Sequence, residues 1–302
     1  MYKAQVFSLP RNPHIRKRLT HGLEVTSLAG TIAEILGLNI ALVEAGSIAH
    51  DIGHTPYGHL GESFLTTVLG REFRHNIFGT IVAQHIERKG VGLNLAFETL
   101  EGILFHSGGR KSISSWSDLR AEYAVIRLAD KIAFTFSDLN DALRYGYLGS
   151  DRGFDAMVWN WFGSNQRERI ANCVHALVQE SAEENHISFS RSETAQRFEE
   201  LKKWMYENVY SQVDSTIQAT ILERTYDFLS TGPAFEECDP AMLLALLTDD
   251  ETDAIGHILL ESKRLRADNG LIKNFGIMEI IPDLKGKRID LFDPDLGWGT
   301  KP

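Results

Sequence analysis

Apolar positions recur at helical spacing along most of this chain. From Leu19 onward, Val25, Leu28, Ile32 and Leu36 fall on one face, and Gly37 follows as a stop. Asn39 is placed to cap a second helix carrying Leu42, Val43, Ile48 and Ala49. Pro56 biases Thr55 away from the α region, which predicts that this helix ends near Gly53 to Thr55. A third helix is expected from about Arg74 to Arg88, closed by the Gly90-Val91-Gly92 turn. A fourth covers "NLAFETLEGILFHS", closed by Gly108-Gly109. A long one runs through "SDLRAEYAVIRLADKIAFTFSDLNDALRYG", where Tyr123, Ile126, Asp130, Phe134 and Asp138 have near-helical spacing. Helical patterns return over 166–184, 191–230 and 240–266, with no internal repeat. The tail after about Asn269 differs. It sets short β-prone runs between Gly and Pro, which predicts a small hairpin or an arm. The pattern is that of an all-α protein with a short irregular or β-containing tail. Its changes of character place a core over 1–184, a helical C-terminal region packed on it over 185–268, and the tail over 269–302.

Against this background one stretch stands out. "IAHDIGHTPYGH" brings His50, Asp51, His54 and His59 together just after an apolar helix, so 3 of the chain's 11 histidines lie between positions 50 and 59. His21 sits on a separate amphipathic helix, and Asp130 interrupts the otherwise apolar "VIRLADKIAF". A buried carboxylate without compensation is expensive; a metal ion, Lys131 or Arg127 would relieve the cost at Asp130. Imidazole and carboxylate together suit a borderline divalent ion such as Zn, Mn, Fe, Co or Ni. Each residue taken alone has a plainer reading. A single histidine in a helix is more often a hydrogen-bonded core or surface residue, and Asp130 can serve a salt bridge between helices. The joint pattern is stronger than any member.

Composition narrows the function. The chain has 302 residues, 43% hydrophobic and 24% charged, enough for a substantial core and unlike a disordered chain. A formal net charge of −10 disfavours general nucleic-acid binding but leaves room for a nucleotide substrate held by a few local cations. Cys173 and Cys238 are the only cysteines, so neither a disulfide framework nor a thiolate metal cluster is expected. No 18-residue apolar run occurs and "MYKAQVFSLPRNP" lacks a signal-peptide core, so the expectation is a cytoplasmic protein without a membrane partner. There is no P-loop or Rossmann glycine pattern, so side chains and metal must hold any phosphate.

The strings "RKRLTHGLEV", "AHDIGHTPYGHLGE", "LNLAFETLEGILFHS" and "EYAVIRLADKIAFTFSDLNDAL" resemble the HD-domain phosphohydrolases. Within them they are similar to the deoxyguanosine triphosphate triphosphohydrolase-like branch. The resemblance runs from about Lys3 to Leu143. It implies the helical HD fold and one divalent ion (Mn, Mg, Zn, Fe, Co or Ni) bound by His21, His50, Asp51 and Asp130. It implies cleavage of a deoxynucleoside triphosphate at the α-phosphorus, giving deoxynucleoside and tripolyphosphate. It assigns proton transfer to His54 with Glu62 as its carboxylate partner, and places His59 and His75 near the phosphates. Arg18, three residues before His21, and Lys131, beside Asp130, are the candidate phosphate cations. Either can equally form an ordinary surface ion pair. A homo-oligomer is implied too, and Phe275, Ile277, Ile280, Leu291, Phe292 and Trp298 in the tail need a surface to cover, on their own domain or on a neighbour. The chain departs from the pattern in places. "YKAQVF" stands where the branch has "KTQVF", the Arg-rich segment that normally precedes it is absent, and Phe134 replaces a common tyrosine. Two further readings stay open: an HD phosphohydrolase of a nucleoside monophosphate, cyclic nucleotide or other phosphoester, and a non-catalytic nucleotide sensor.

Overall fold

The computed structural model describes Lys3 and residues 17–107, 119–145, 152–212, 215–261 and 272–296. Among them every regular element is helical: α1 (Arg18–Leu36), α2 (Ile40–Ala49), α3 (His59–Leu69), α4 (His75–Ile81), α5 (Glu87–Gly90), α6 (Phe97–Phe105), α7 (Ala121–Tyr145), α8 (Arg152–Phe162), α9 (Gln166–Glu184), α10 (Glu193–Asn208), α11 (Thr216–Thr231), α12 (Pro240–Leu246), α13 (Asp249–Glu261) and α14 (Gly276–Leu284). No described helix is long and apolar enough to cross a membrane.

Local chemistry accounts for several of these limits. Gly37 closes α1 at φ 69°, a left-handed conformation that a side chain resists. The Asn39 carboxamide oxygen accepts from the Leu42 N–H at 3.1 Å, capping α2. Asn165 caps α9 through Glu168 N–H, and Ser192 caps α10 through Ala195 N–H. The pattern over 191–230 is two helices, broken by a 3₁₀ turn at Tyr210–Gln212. The pattern over 240–266 is likewise two, α12 and α13.

Other elements differ from expectation. Helix α2 ends at Ala49, so His50 and Asp51 lie just beyond it rather than inside its last turn. His59 opens α3, a helix where the sequence pattern predicts only a turn; β-branched Thr66, Thr67 and Val68 weaken its signal, while buried Leu65 fixes it. The third predicted helix holds from His75, passes through a π turn at Val82–Ile86, and breaks where Arg88 and Lys89 turn left-handed. The tail forms no hairpin among its described residues. Ile277, Ile281 and Leu284 share one face of α14 and are all buried, so packing overrides their β propensity. Gly108, Gly109 and Trp298 lie outside the described residues.

The chain divides into two compact units, each built from non-consecutive stretches. The first holds the described residues up to Thr20, Ala49–Leu104 and those from 215 onward. Its core joins Leu65, Phe73, Phe78 and Ile81 to Leu222, Leu229, Met242, Leu247, Ile255 and the buried face of α14. Leu291 is part of this core, with Phe275, Ile280 and Phe292 packed against it, so these tail residues are covered by their own chain. The second unit holds His21–Ile48 and Phe105 through 212. There the Phe136 ring lies 5.3 Å from Phe162 and 5.8 Å from Phe198, in tilted and edge-on contacts typical of close-packed aromatics.

Within the first unit, α4 approaches the turn after α2 to backbone contact. A Cβ at Gly53 would stand 2.1 Å from the Gly79 nitrogen and 2.2 Å from the His75 carbonyl oxygen. Only a glycine lets α4 lie this near. Gly53→Ala is therefore expected to cost at least about 2 kcal/mol by overpacking backbone on backbone. Gly37→Ala, where nothing lies within 4 Å, should cost about 1 kcal/mol from its positive φ alone. Urea unfolding of both variants against the parent checks the ranking; equal losses would refute it.

Candidate metal centre

The turn after α2 is built from short-range hydrogen bonds. The N–H of Ile52 donates to Ala49 O, that of His54 to Asp51 O and that of Gly58 to Thr55 O. The Thr55 hydroxyl donates to Gly58 O at 2.7 Å. Tyr57 and Gly58 both adopt positive φ, at 57° and 55°. For Tyr57 this is strained backbone, and α13 holds it in place. The Tyr57 N–H donates to Asp249 Oδ1 at 2.9 Å and its hydroxyl to Asp253 Oδ1 at 2.5 Å. A Cβ at Gly61 would meet Pro56 O at 2.3 Å, so the first turn of α3 presses on the same segment.

This scaffold gathers seven of the residues picked from sequence within the first unit. Asp51 is the hub. The Arg18 guanidinium donates to Asp51 Oδ2 at 2.8 Å, both groups being buried. Asp51 Oδ1 lies 3.1 Å from His54 Nε2 and 3.4 Å from His50 Nε2. Burial opposes ionisation of Asp51, but His50 and the permanently charged Arg18 outweigh it and hold the carboxyl well below its ordinary range. For His54, burial dominates, reinforced by Arg18 and His75; its pKa falls well below 6.5 despite Asp51, so the ring is neutral at pH 7. The ligand atoms of Asp51, His54 and His75 lie within 4.8 Å of one another, as do those of His54, His59 and Glu62.

Glu62 makes its hydrogen bonds to His75, a contact not expected from sequence, while lying within 4.8 Å of His54. Its Oε1 accepts from both the backbone N–H and the ring Nδ1 of His75, each at 2.7 Å. Burial opposes its charge, but His75 outweighs this through proximity and hydrogen bond, with His54 and His59 adding, so its carboxyl stays far below 4.5. His75 in turn stacks on His54, centroids 3.7 Å apart and planes 13° from parallel. Glu62 thus hydrogen-bonds the His75 ring, and one of its oxygens also lies within 4.8 Å of a His54 ring nitrogen. His59 lies at the rim, its side chain 76% exposed, 3.8 Å from Glu62 Oε2. Arg18, expected on phosphate, has Asp51 as a partner.

The second unit carries the other three. His21 is fully buried in the first turns of α1, and its Nε2 lies 2.9 Å from Asp130 Oδ1 on α7. Lys131 is pushed down to about 8 by burial first and then by Lys202 and Arg127, against the pull of Glu199 and Asp130. Asp130, Phe134 and Asp138 recur every four residues along α7. Phe134 stacks on Tyr210 at 5.8 Å, and the Tyr210 hydroxyl donates to Asp138 Oδ2 at 2.9 Å. Sequence reasoning does not single out Tyr210. It lies 72 residues from Asp138, and no local pattern links the two.

The donor chemistry fits a borderline divalent ion. Each unit offers imidazole nitrogen beside carboxylate oxygen, with the charge on Asp51 already secured by Arg18.

Comparison with known proteins agrees with this. The HD-domain family model matches residues 18–135, which include all ten site residues picked from the sequence. A "Deoxyguanosinetriphosphate triphosphohydrolase-like protein" of Clostridium tetani (strain Massachusetts / E88) is 37% identical over 216 residues, covering 69% of this chain and 61% of that protein. One of the same name from Desulfatibacillum aliphaticivorans is 37% identical over 215 residues, with the same coverage. Another, from Ralstonia pickettii (strain 12J), is 39% identical over 173 residues, covering 52% of this chain and 44% of its own length. The chain spans 61% of the length of the first two relatives. With the histidine–aspartate hub in place at positions 50 and 51, residues 18–135 of this chain are an HD domain, and the chain is similar to proteins named deoxyguanosinetriphosphate triphosphohydrolase-like.

Proposed function

We propose that this HD domain is a metal-dependent phosphohydrolase that cleaves a deoxynucleoside triphosphate into deoxynucleoside and tripolyphosphate. The observation that carries the reading is the buried Asp51 hub, which is charge-compensated by Arg18 and flanked by a neutral His54. His21, His50, Asp51 and Asp130 are assigned as ligands of one divalent ion, following the family resemblance. When bound, the ion supplies Lewis-acid polarisation of a phosphoryl oxygen. Its identity is open among Mn, Mg, Zn, Fe, Co and Ni, because nitrogen and oxygen donors accept all of these.

His54 is assigned to proton transfer. The Asp51 carboxylate only accepts, so the hydrogen of the neutral ring sits on Nε2, facing it. That leaves Nδ1 as the basic nitrogen, buried and without a hydrogen-bond partner among the described residues. An imidazole in this state takes a proton from the water that attacks the α-phosphorus. The new P–O bond replaces the bond to the sugar 5′ oxygen, and the same His54 returns the proton to that leaving oxygen. Glu62 fixes the His75 ring that stacks on His54, and His75, His59, Arg18 and Lys131 are assigned to the phosphates. Lys131, at about 8, is mostly charged at pH 7. Assembly as a homo-oligomer is proposed on the family resemblance alone.

The assay is metal-loaded protein with each of the four deoxynucleoside triphosphates, resolving the phosphate products. Tripolyphosphate is expected, and pyrophosphate or monophosphate would sink the reading. His54→Ala should keep its metal and lose roughly 10²- to 10⁴-fold in turnover. His50→Ala and Asp51→Asn should lose the metal itself, by elemental analysis.

Glu62 gives a prediction that needs no substrate. A carboxyl depressed in the folded state stabilises the fold above its unfolded pKa and loses that contribution as pH falls toward the folded value. The stability gap between the parent and Glu62→Gln should therefore be full at pH 7 and shrink as pH drops below about 4.5. Urea midpoints over pH 3 to 7 measure it; a gap independent of pH would contradict the assignment of charge to Glu62.

A further inference from the structure

Lys3 is buried, with 7% of its surface exposed, yet it lies in no ion pair among the described residues. Its ammonium nitrogen donates instead to two backbone carbonyls, that of His54 and that of Ala245 in α12, the latter at 2.7 Å. Its own carbonyl accepts from the N–H of Arg18 at 2.9 Å, the first residue of α1. One residue thus touches the main chain of the assigned proton-transfer histidine, the start of the helix whose first side chain pairs with Asp51, and the C-terminal part of the first unit. Burial pushes the amine down to about 7, against the pull of Asp249. The arrangement tolerates this, because two carbonyls need two N–H donors and a neutral amine also has two.

The turn needs such a hold. His54 precedes a strained segment with two successive positive φ values, and its Nδ1 has no hydrogen-bond partner among the described residues. α13 grips Tyr57 on the far side of Pro56 through Asp249 and Asp253. Lys3 grips the near side at the His54 carbonyl itself. We propose that Lys3 is the positioning residue of the catalytic turn, clamping the His54 backbone between Arg18 and Ala245 so that the imidazole meets Asp51 in register. The proposal rests on the assignment of His54 to proton transfer, and its structural half can be read without turnover.

The test compares Lys3→Met, which keeps the apolar stem and removes both donors, with Lys3→Arg, which keeps donors, in the metal-loaded full chain. Lys3→Met should retain its metal and lower kcat by about 10- to 100-fold, the cost of a misplaced reacting group. KM should stay within about twofold, since no substrate contact is removed. Lys3→Arg should recover part of the loss. In Lys3→Ala, added propylammonium should restore turnover and tetramethylammonium, which has no N–H, should not. Amide hydrogen exchange of residues 52–58 should rise in Lys3→Met while that of α9 does not. If the parent turns over no deoxynucleoside triphosphate, the functional reading fails, and the exchange experiment alone decides the clamp. Unchanged exchange in this stretch overturns the proposal. So does a kcat within about twofold of the parent, a loss of metal together with activity, or a failure of both Lys3→Met and Lys3→Arg to fold, which would make Lys3 a general anchor of the core.

Discussion

A charged carboxylate has been taken out of water at Asp51, and the arrangement of the first unit follows from what that costs. In a poorly polarisable interior an isolated carboxylate is penalised by several kcal/mol, and it stays ionised only if cations and donors close around it. Arg18 supplies the permanent charge. Histidines 50 and 54 supply polarisable edges on the other oxygen. Once these groups must converge, the chain around them has little freedom. α2 must stop at Ala49, α1 must begin at Arg18, and α4 must run close enough to Gly53 for His75 to stack on His54.

The same constraint shapes the division of labour among the imidazoles. Positive charge from Arg18 and shelter from water both favour a neutral His54, which suits a ring meant to accept a proton. Glu62 directs its hydrogen bonds to His75. His54 and His75 stack face to face, and the exposed His59 ring lies about equally far from both, at 5.9 and 6.3 Å. The ring nearest Asp51 is held neutral by burial and by Arg18, and His59 is open to solvent.

Much of this was legible in the sequence, for reasons that can be named. Gly37, Asn39 and the 166–184 pattern mark helix ends by local chemistry alone, and the structure places α1, α2 and α9 accordingly. The histidine–aspartate string announces itself because its members are neighbours in the chain. What stayed hidden depends on tertiary contact. The β-prone residues of the tail became α14 because Ile277, Ile281 and Leu284 are buried by helices far away in sequence. Glu62 follows His54 by eight residues and precedes His75 by thirteen, and spacing alone cannot say which ring it meets. Tyr210 carries no signal, and Lys3 figures only as part of a family-like string without a role, because what gives them meaning lies 72 and 51 residues away.

The contact between Lys3 and Ala245 spans 242 positions of the chain. During synthesis the carbonyl that the amine must reach is made 242 residues after it. At the usual pace of translation the interval is roughly 10 to 50 s, during which the amine and the turn bearing His54 have no closing partner. A contact of such sequence separation also forms late in folding, since its loop-closure entropy is recovered only when the intervening helices have docked. The histidine string is thus translated well before its turn can be completed, and a nascent chain already long enough to carry every assigned metal ligand still lacks the closing contact of that turn.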